Sequence, residues 1–235
     1  MFTTLGKTIT MALGVCALGS TLLAAEVEQP DESKGWKKLF DGKTTKGWRT
    51  YNQREAKPQW QAVDGALTLT KPGGGNLITE GQYENFDLRL EWKIPKGRNS
   101  GLFIGAKESE RVIYQDAIEM QILGNTGFPK LDDYHIAGSI YGFFPSKREW
   151  AKPDGEWNKV RILKKDGNIK VFFNDQVVAD FKPSSEEFAQ MIAKTKFKAW
   201  PQFGKHEKGH IGFQDHGDSH GLAIRNIWIK ELDAK

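Results

Sequence analysis

The chain has 235 residues, a formal net charge of +4, 8 tryptophans and 14 phenylalanines. That is one domain's worth of sequence with ample apolar material for a core. Lysines alternate with acids instead of forming a basic block, which argues against nucleic acid as a partner, and the leading apolar run is too short and too early for a membrane span.

Residues 1–25 read MFTTLGKTITMALGVCALGSTLLAA: one lysine, an apolar run, then small residues before acidic Glu26. This layout predicts a signal peptide, and hence an exported protein, periplasmic or secreted. Cys16 is the only cysteine and falls inside that leader, where Val15 before it is a poor match to a lipidation signal. The mature chain would therefore carry no disulfide. Residues 26–34 (EVEQPDESK) are expected to be a flexible polar tether, leaving residues 35–235 as the folded domain.

From there apolar residues recur with period two. Phe86, Leu88, Leu90, Trp92 and Ile94 alternate with Asp87, Arg89, Glu91 and Lys93, as in a half-buried strand. Arg98 and Asn99 fall in a glycine-flanked segment that reads as a turn. Ile118, Met120 and Ile122 point one way, and Glu119 and Gln121 the other. WNKVRILKK predicts a strand, Asp166-Gly167 a hairpin turn, NIKVFF its return, and NDQ a second turn into VVADF. Ser184, with Glu187 three residues on, predicts the capped start of one short helix lined by Phe188, Met191, Ile192 and Thr195. The final strand is IRNIWIKEL, with Ile227 and Ile229 on one face. Many strands, turn residues between them and a single helix predict an all-β fold of two packed antiparallel sheets, a sandwich or jelly roll.

Four of the 5 histidines, His206, His210, His216 and His220, crowd into fifteen residues. With Ile211 and Phe213 as core residues, His210, Gly212, Gln214 and His216 share the wet face. On an extended strand His210 and His216 would stand roughly 20 Å apart, too far to ligate one metal. Gln214 and His216 are close enough to meet one sugar ring, and Gly212 is expected to leave a bare patch for a ligand. His206 and His220 read as loop residues.

Taken together the motifs LFDGKTTKGW, RNSGLFIG, IEMQILGN, HIAGSIYGFFPS, GEWNKVRIL, GKHEKGHIGFQDHGD and IRNIWIKEL, in this order, resemble the 3-keto-disaccharide hydrolase family from about Gly35 to the C-terminus. Two places depart from the family pattern: Gly124 stands where an acid is usual, and His135-Ile136-Ala137-Gly138 replaces His-Pro-Thr-Gly. The resemblance implies a concanavalin A-like jelly roll and a substrate already oxidised to a ketone at sugar carbon 3. On such a substrate a base that takes the carbon-2 proton expels the aglycone by elimination, and water adds afterwards. The site then needs a base, a group that stabilises the ketone oxygen, and an acid for the leaving oxygen.

The catalytic candidates are Glu119, His135 and His216. Arg98, Asn99, Gln121, Tyr141 and Gln214 are candidates for substrate binding. A divalent metal ion is a conditional cofactor, with Glu119, His135 and His216 as its ligands; no other cofactor is implied. A separate sugar 3-oxidoreductase would supply the ketone. The alternatives are a lectin-like carbohydrate-binding module and a conventional two-carboxylate glycoside hydrolase, for which the strand around Glu119 supplies no acidic partner.

Overall fold

The computed structural model describes Met1, residues 30–108 and residues 112–234. The predicted leader beyond Met1 and residues 26–29 of the tether lie outside the described residues. Within the rest of the tether, Glu32–Lys34 form a 3-10 turn whose cap, Asp31, accepts from the Ser33 N–H. Among the described residues no helix is long and apolar enough to cross a membrane.

Strands form wherever apolar and polar residues alternate, because period two puts every second side chain on the same face. One sheet has eight strands: β1 (Trp36–Lys38), β3 (Trp60–Val63), β4 (Ala66–Leu69), β6 (Phe86–Lys93), β9 (Asn158–Lys165), β10 (Asn168–Phe173), β11 (Gln176–Phe181) and β13 (Ala223–Glu231). Their order is β11-β10-β9-β6-β13-β4-β3, with β1 also paired to β13. The other sheet has five: β2 (Trp48–Thr50), β5 (Leu77–Thr79), β7 (Asn99–Ala106), β8 (Ile118–Leu123) and β12 (His210–Phe213), in the order β2-β5-β12-β7-β8. All pairings between these strands are antiparallel. The sheets face each other across one core, in which Leu88, Leu90, Trp92, Phe173 and Ile229 meet Leu102, Ile104, Met120, Ile122 and Phe213. Trp92 stacks on Phe173 at 5.9 Å between ring centroids. The fold is the expected all-β, two-sheet jelly-roll sandwich with one short helix.

Local details follow from residue chemistry. Asp166-Gly167 and Asn174-Asp175 all have positive φ and make two-residue turns between β9, β10 and β11, the conformation that lets right-twisted strands reverse. In β13 the register shifts between Arg225 and Trp228, and Asn226 takes φ 52°. This bulge is why Ile224 and Ile227, three apart, are both buried with Ile229. The helix α1 spans Glu186–Ala193 and is capped by Ser185, not Ser184: Ser185 accepts from the Phe188 N–H. Thr195 lies beyond α1 and caps a second, 3-10 turn, Lys196–Ala199.

Candidate active site

Because one face of the five-stranded sheet fills the core, its outer face displays Gly101 and Phe103 on β7 and Glu119 and Gln121 on β8. The register pairs Gly101 with Gln121 and Phe103 with Glu119. Across the next gap the Gln214 N–H donates to the Gly101 carbonyl at 2.9 Å, so Gln214 continues this row one strand over. Half of the face is covered: Ile113 packs with Phe103, Ile78 and Tyr51 in a small apolar cluster of its own. Gly212 lies beneath that cover. A β-carbon there would stand 3.1 Å from Ile113 and Ile78 side-chain atoms, so the predicted bare patch at Gly212 is already occupied by protein.

The open half belongs to Glu119. Its carboxyl leans over Gly101, where an added β-carbon would come within 2.2 Å of Oε1. No hydrogen-bond donor among the described residues reaches this carboxyl. It is densely surrounded by protein although the residue is not sealed from solvent. Burial disfavours the ionised form and lifts its pKa from 4.5 to about 8, against the opposing pull of the Lys196 ammonium. A glutamate left unpaired at this cost is the mark of a functional group more than of a structural one.

The edge of β8 is closed by residues 138–141. The Gly138 N–H donates to the Gln121 carbonyl and the Gln121 N–H to the Ser139 carbonyl, both at 2.9 Å, the Tyr141 N–H donates to the Glu119 carbonyl at 3.0 Å, and Ile140 bridges to Met120. Tyr141 therefore sits directly beside Glu119 on the outer face. The segment is anchored at three points: Asn125 Oδ1 accepts from the Ala137 N–H, Gln121 Nε2 donates to the His135 carbonyl, and Gly138 presses against Phe173. At Gly138 φ is +88° and a β-carbon would lie 2.3 Å from the phenyl ring, so only glycine fits.

Around Tyr141 the remaining groups gather in a groove of about 450 Å³ lined by Asp132, His135, Tyr141, Lys196 and Phe197 among others. The His135 ring meets the Tyr141 ring edge-on at 4.7 Å, and its Nδ1 is bonded to Asp132 at 2.6 Å. That bond orients the imidazole and, by pairing, holds the Asp132 carboxyl below its usual range. Burial, then the charges of Glu119 and Asp132, raise the Tyr141 hydroxyl. Sequence reading missed Asp132 and Lys196, since both reach the groove only through tertiary contacts. A larger, shallower depression of about 1080 Å³ lies at the opposite edge of the sheet, but there Arg49 and Glu108 are paired to each other at 2.6 Å.

The histidine-rich stretch divides. His210 keeps the outer face with Gly212 and Gln214, because the extra residue at the register shift is Gly105 on β7 and its partner Ala106 belongs to the Ile113 cluster, but it is buried there and not wet. Its Nδ1 bonds the Thr79 carbonyl at 2.7 Å and burial lowers its pKa, so it is a structural imidazole. His206 lies 3.6 Å from Asp116. Asp215 is a staple: Oδ2 accepts from the Gly73 and Gly75 N–H groups and Oδ1 from Gly217. Beyond it His216 is exposed, with Nδ1 3.2 Å from Asp218. Two residues past Gln214, its Cα is within about 7 Å of that residue's.

The other candidates are placed as follows. Asn99 does not lie in a turn but opens β7, with its Oδ1 buried and unmet by any donor among the described residues; Arg98 immediately precedes it. Gln121 Oε1 is likewise buried and unmet. These amides flank Gly101. Among the described residues no three His, Cys, Asp or Glu side chains converge on a metal-binding point. The conditional ligand set Glu119, His135 and His216 is thus not assembled as a cage: the Nδ1 atoms of both histidines face aspartates.

A jelly roll with a desolvated acid beside Tyr141, and with an oriented imidazole and a cation lining the groove at that tyrosine, defines an enzyme-type site. Residues 35–230 match the 3-keto-alpha-glucoside-1,2-lyase-like domain, and the chain belongs to that family. It is 34% identical over 248 residues to a 3-keto-disaccharide hydrolase of Bacteroides thetaiotaomicron, covering 91% of this chain and 85% of that protein. Among solved structures it is similar to two crystal structures of Parabacteroides distasonis proteins provisionally named glycosyl hydrolases, each 28% identical. One superimposes with a TM-score of 0.77 over 86% of this chain and 96% of the other; the second with 0.64 over 84% and 99%.

Proposed function

We propose that the protein cleaves 3-keto-glycosides by elimination, with Glu119 as the base. The observation that carries this reading is the unpaired, desolvated carboxyl over Gly101. Held near a pKa of about 8, it is a far stronger proton acceptor than an ordinary glutamate, and still partly ionised at neutral pH. Carbon 2 of a 3-keto sugar carries a proton acidified by the neighbouring carbonyl. The carboxylate takes that proton, and the aglycone oxygen on carbon 1 departs. His135, oriented through Nδ1 by Asp132, presents its other nitrogen as the proton donor to the departing oxygen. Tyr141 forms the wall against the ring. Arg98, Asn99, Gln121 and Gln214 serve the hydroxyls, and His216, two residues past Gln214, would meet the same sugar. Water then adds to the unsaturated sugar, so the net reaction is hydrolysis, in keeping with the name of the Bacteroides relative.

The N-terminal leader would carry the protein out of the cytoplasm, and a separate sugar 3-oxidoreductase would supply the ketone. The test compares aglycone release from a 3-keto-glycoside with release from the unoxidised glycoside. The elimination requires release from the first alone. Release from the second would point to a conventional glycosidase using Glu119 with Asp132, and binding without release from either would leave a lectin-like module.

A further inference from the structure

Lys196 begins the 3-10 turn Lys196–Ala199, directly after Thr195, whose Oγ1 accepts from the Phe197 N–H at 3.2 Å and bonds the Ile192 carbonyl at 2.9 Å. The next residue, Phe197, is buried against Phe143 at 4.9 Å and Phe203 at 4.4 Å between ring centroids. The backbone of Lys196 is thereby tied to the core while its side chain reaches over the groove. Its Nζ lies 4.9 Å from the centre of the Tyr141 ring and 5.5 Å from that of Phe197. The faces of two aromatic rings hold a cation in place without neutralising it. Among the described residues Lys196 makes no ion pair, so its charge is uncommitted, and it is the charged group that acts on Glu119.

We infer that Lys196 is the electrophilic group of this site, donating a hydrogen bond to the oxygen at sugar carbon 3 as negative charge develops there. The inference rests on the elimination chemistry proposed above and adds the group that chemistry still lacks. When Glu119 takes the carbon-2 proton, the C2–H electron pair becomes a C2=C3 bond and the carbonyl π pair moves to the oxygen, giving an enolate. Collapse restores the carbonyl, shifts the double bond to C1=C2 and breaks the C1–O bond; the departing oxygen takes its proton from His135. The ketone is neutral before the first step and its oxygen is negative after it. A cation at that oxygen therefore favours the transition state over the bound substrate. A sugar seated against Tyr141 also displaces water from around the ammonium, which strengthens the interaction when it is needed.

The experiment uses the full chain, Lys196→Met and Lys196→Arg. Two readouts separate the steps: exchange of the carbon-2 proton of 1,5-anhydro-3-ketoglucitol with D₂O, followed by NMR, and aglycone release from an aryl 3-keto-glucoside. K196M is expected to slow both by roughly 10²–10³-fold in rate with much less change in KM. K196R should recover part of the loss. The acid limb of the K196M pH profile should move to higher pH, since the cation that favours ionised Glu119 is gone; a merely structural role would leave the limb in place. Wild-type exchange by K196M, or a loss confined to KM with an unmoved pH limb, overturns the inference. If the native protein neither exchanges nor releases, the elimination reading falls and takes this inference with it. An active native protein with an equally active K196M removes only the role of Lys196.

Discussion

Gly101→Ala tests the position of the Glu119 carboxyl more sharply than removing the acid does. The new β-carbon would stand 2.2 Å from Glu119 Oε1 and 2.8 Å from its Cδ and Cγ. An ordinary contact begins near 3.4 Å, so the carboxyl must retreat by about 1.2 Å. Gly101 is not among the glycines with positive φ, and the atoms in the way are the far end of a flexible side chain, so the backbone accepts alanine. A base displaced by about 1 Å loses roughly 10²-fold in rate. G101A is therefore expected to keep its Tm within a few degrees and to lose about two orders of magnitude in kcat for aglycone release from a 3-keto-glycoside. Gly124→Ala is the contrast: there a β-carbon would lie 2.2 Å from the Pro95 carbonyl oxygen and 2.9 Å from the Gly97 nitrogen. Backbone cannot move aside as a side chain can, so G124A should lower Tm. A folded G101A with native kcat would refute the assignment of Glu119 as a base poised over that strand.

Glu119→Gln should reduce release by roughly 10²–10⁴-fold, and the native rate should rise with pH through about 8 as the carboxyl ionises; a flat profile there would count against it. The same group links stability to pH. Folded Glu119 keeps its proton up to about 8 whereas the unfolded chain releases it near 4.5, so the folded state binds the extra proton in between and stability falls as pH rises through that window. At about 1.4 kcal/mol per pH unit the loss is no more than ~5 kcal/mol, and E119Q should lack it in urea denaturation at pH 5 and pH 8.5. Parallel curves for both proteins would contradict the burial of the charge. Asp215→Ala leaves three backbone N–H groups without their acceptor and should cost about 1–3 kcal/mol by the same assay. His210→Ala should lower Tm while the folded fraction keeps its kcat, because that imidazole bonds Thr79 and Gly81 and not the groove.

The strands legible in the sequence are those with one dry and one wet face over six or more residues, such as Phe86–Lys93 and Asn158–Lys165. The first five strands are three or four residues long, too short for a period of two to show. Asn99–Ala106 was hidden for another reason: almost every position is buried, by the core on one side and by the Ile113 cover on the other, so polarity does not alternate. Alternation puts His210 on the outer face, as found, but its burial there is not legible, because Thr79, Gly81 and Gln82 reach it only through tertiary contacts. The helix cap moved by one because Ser184 and Ser185 are both competent and only the bond to Phe188 distinguishes them. Glu119, Gln121 and Gln214 were legible as one face, since simple alternation holds from the core residues Met120 and Phe213. Asp132 and Lys196 carry no periodic signal; a turn and a helix end bring them to Tyr141.

The strip from Gly138 to Tyr141 satisfies the exposed backbone of β8, which would otherwise invite a strand from another molecule to add to the sheet. The same strip carries the tyrosine and ends the loop that carries His135. Guarding the molecule against self-association and assembling half of the reactive groove are thus a single folding event. A chain that fails to dock this strip loses its chemistry and gains a sticky border at once, so poorly folded copies should leave solution as aggregates instead of lingering as inert monomers.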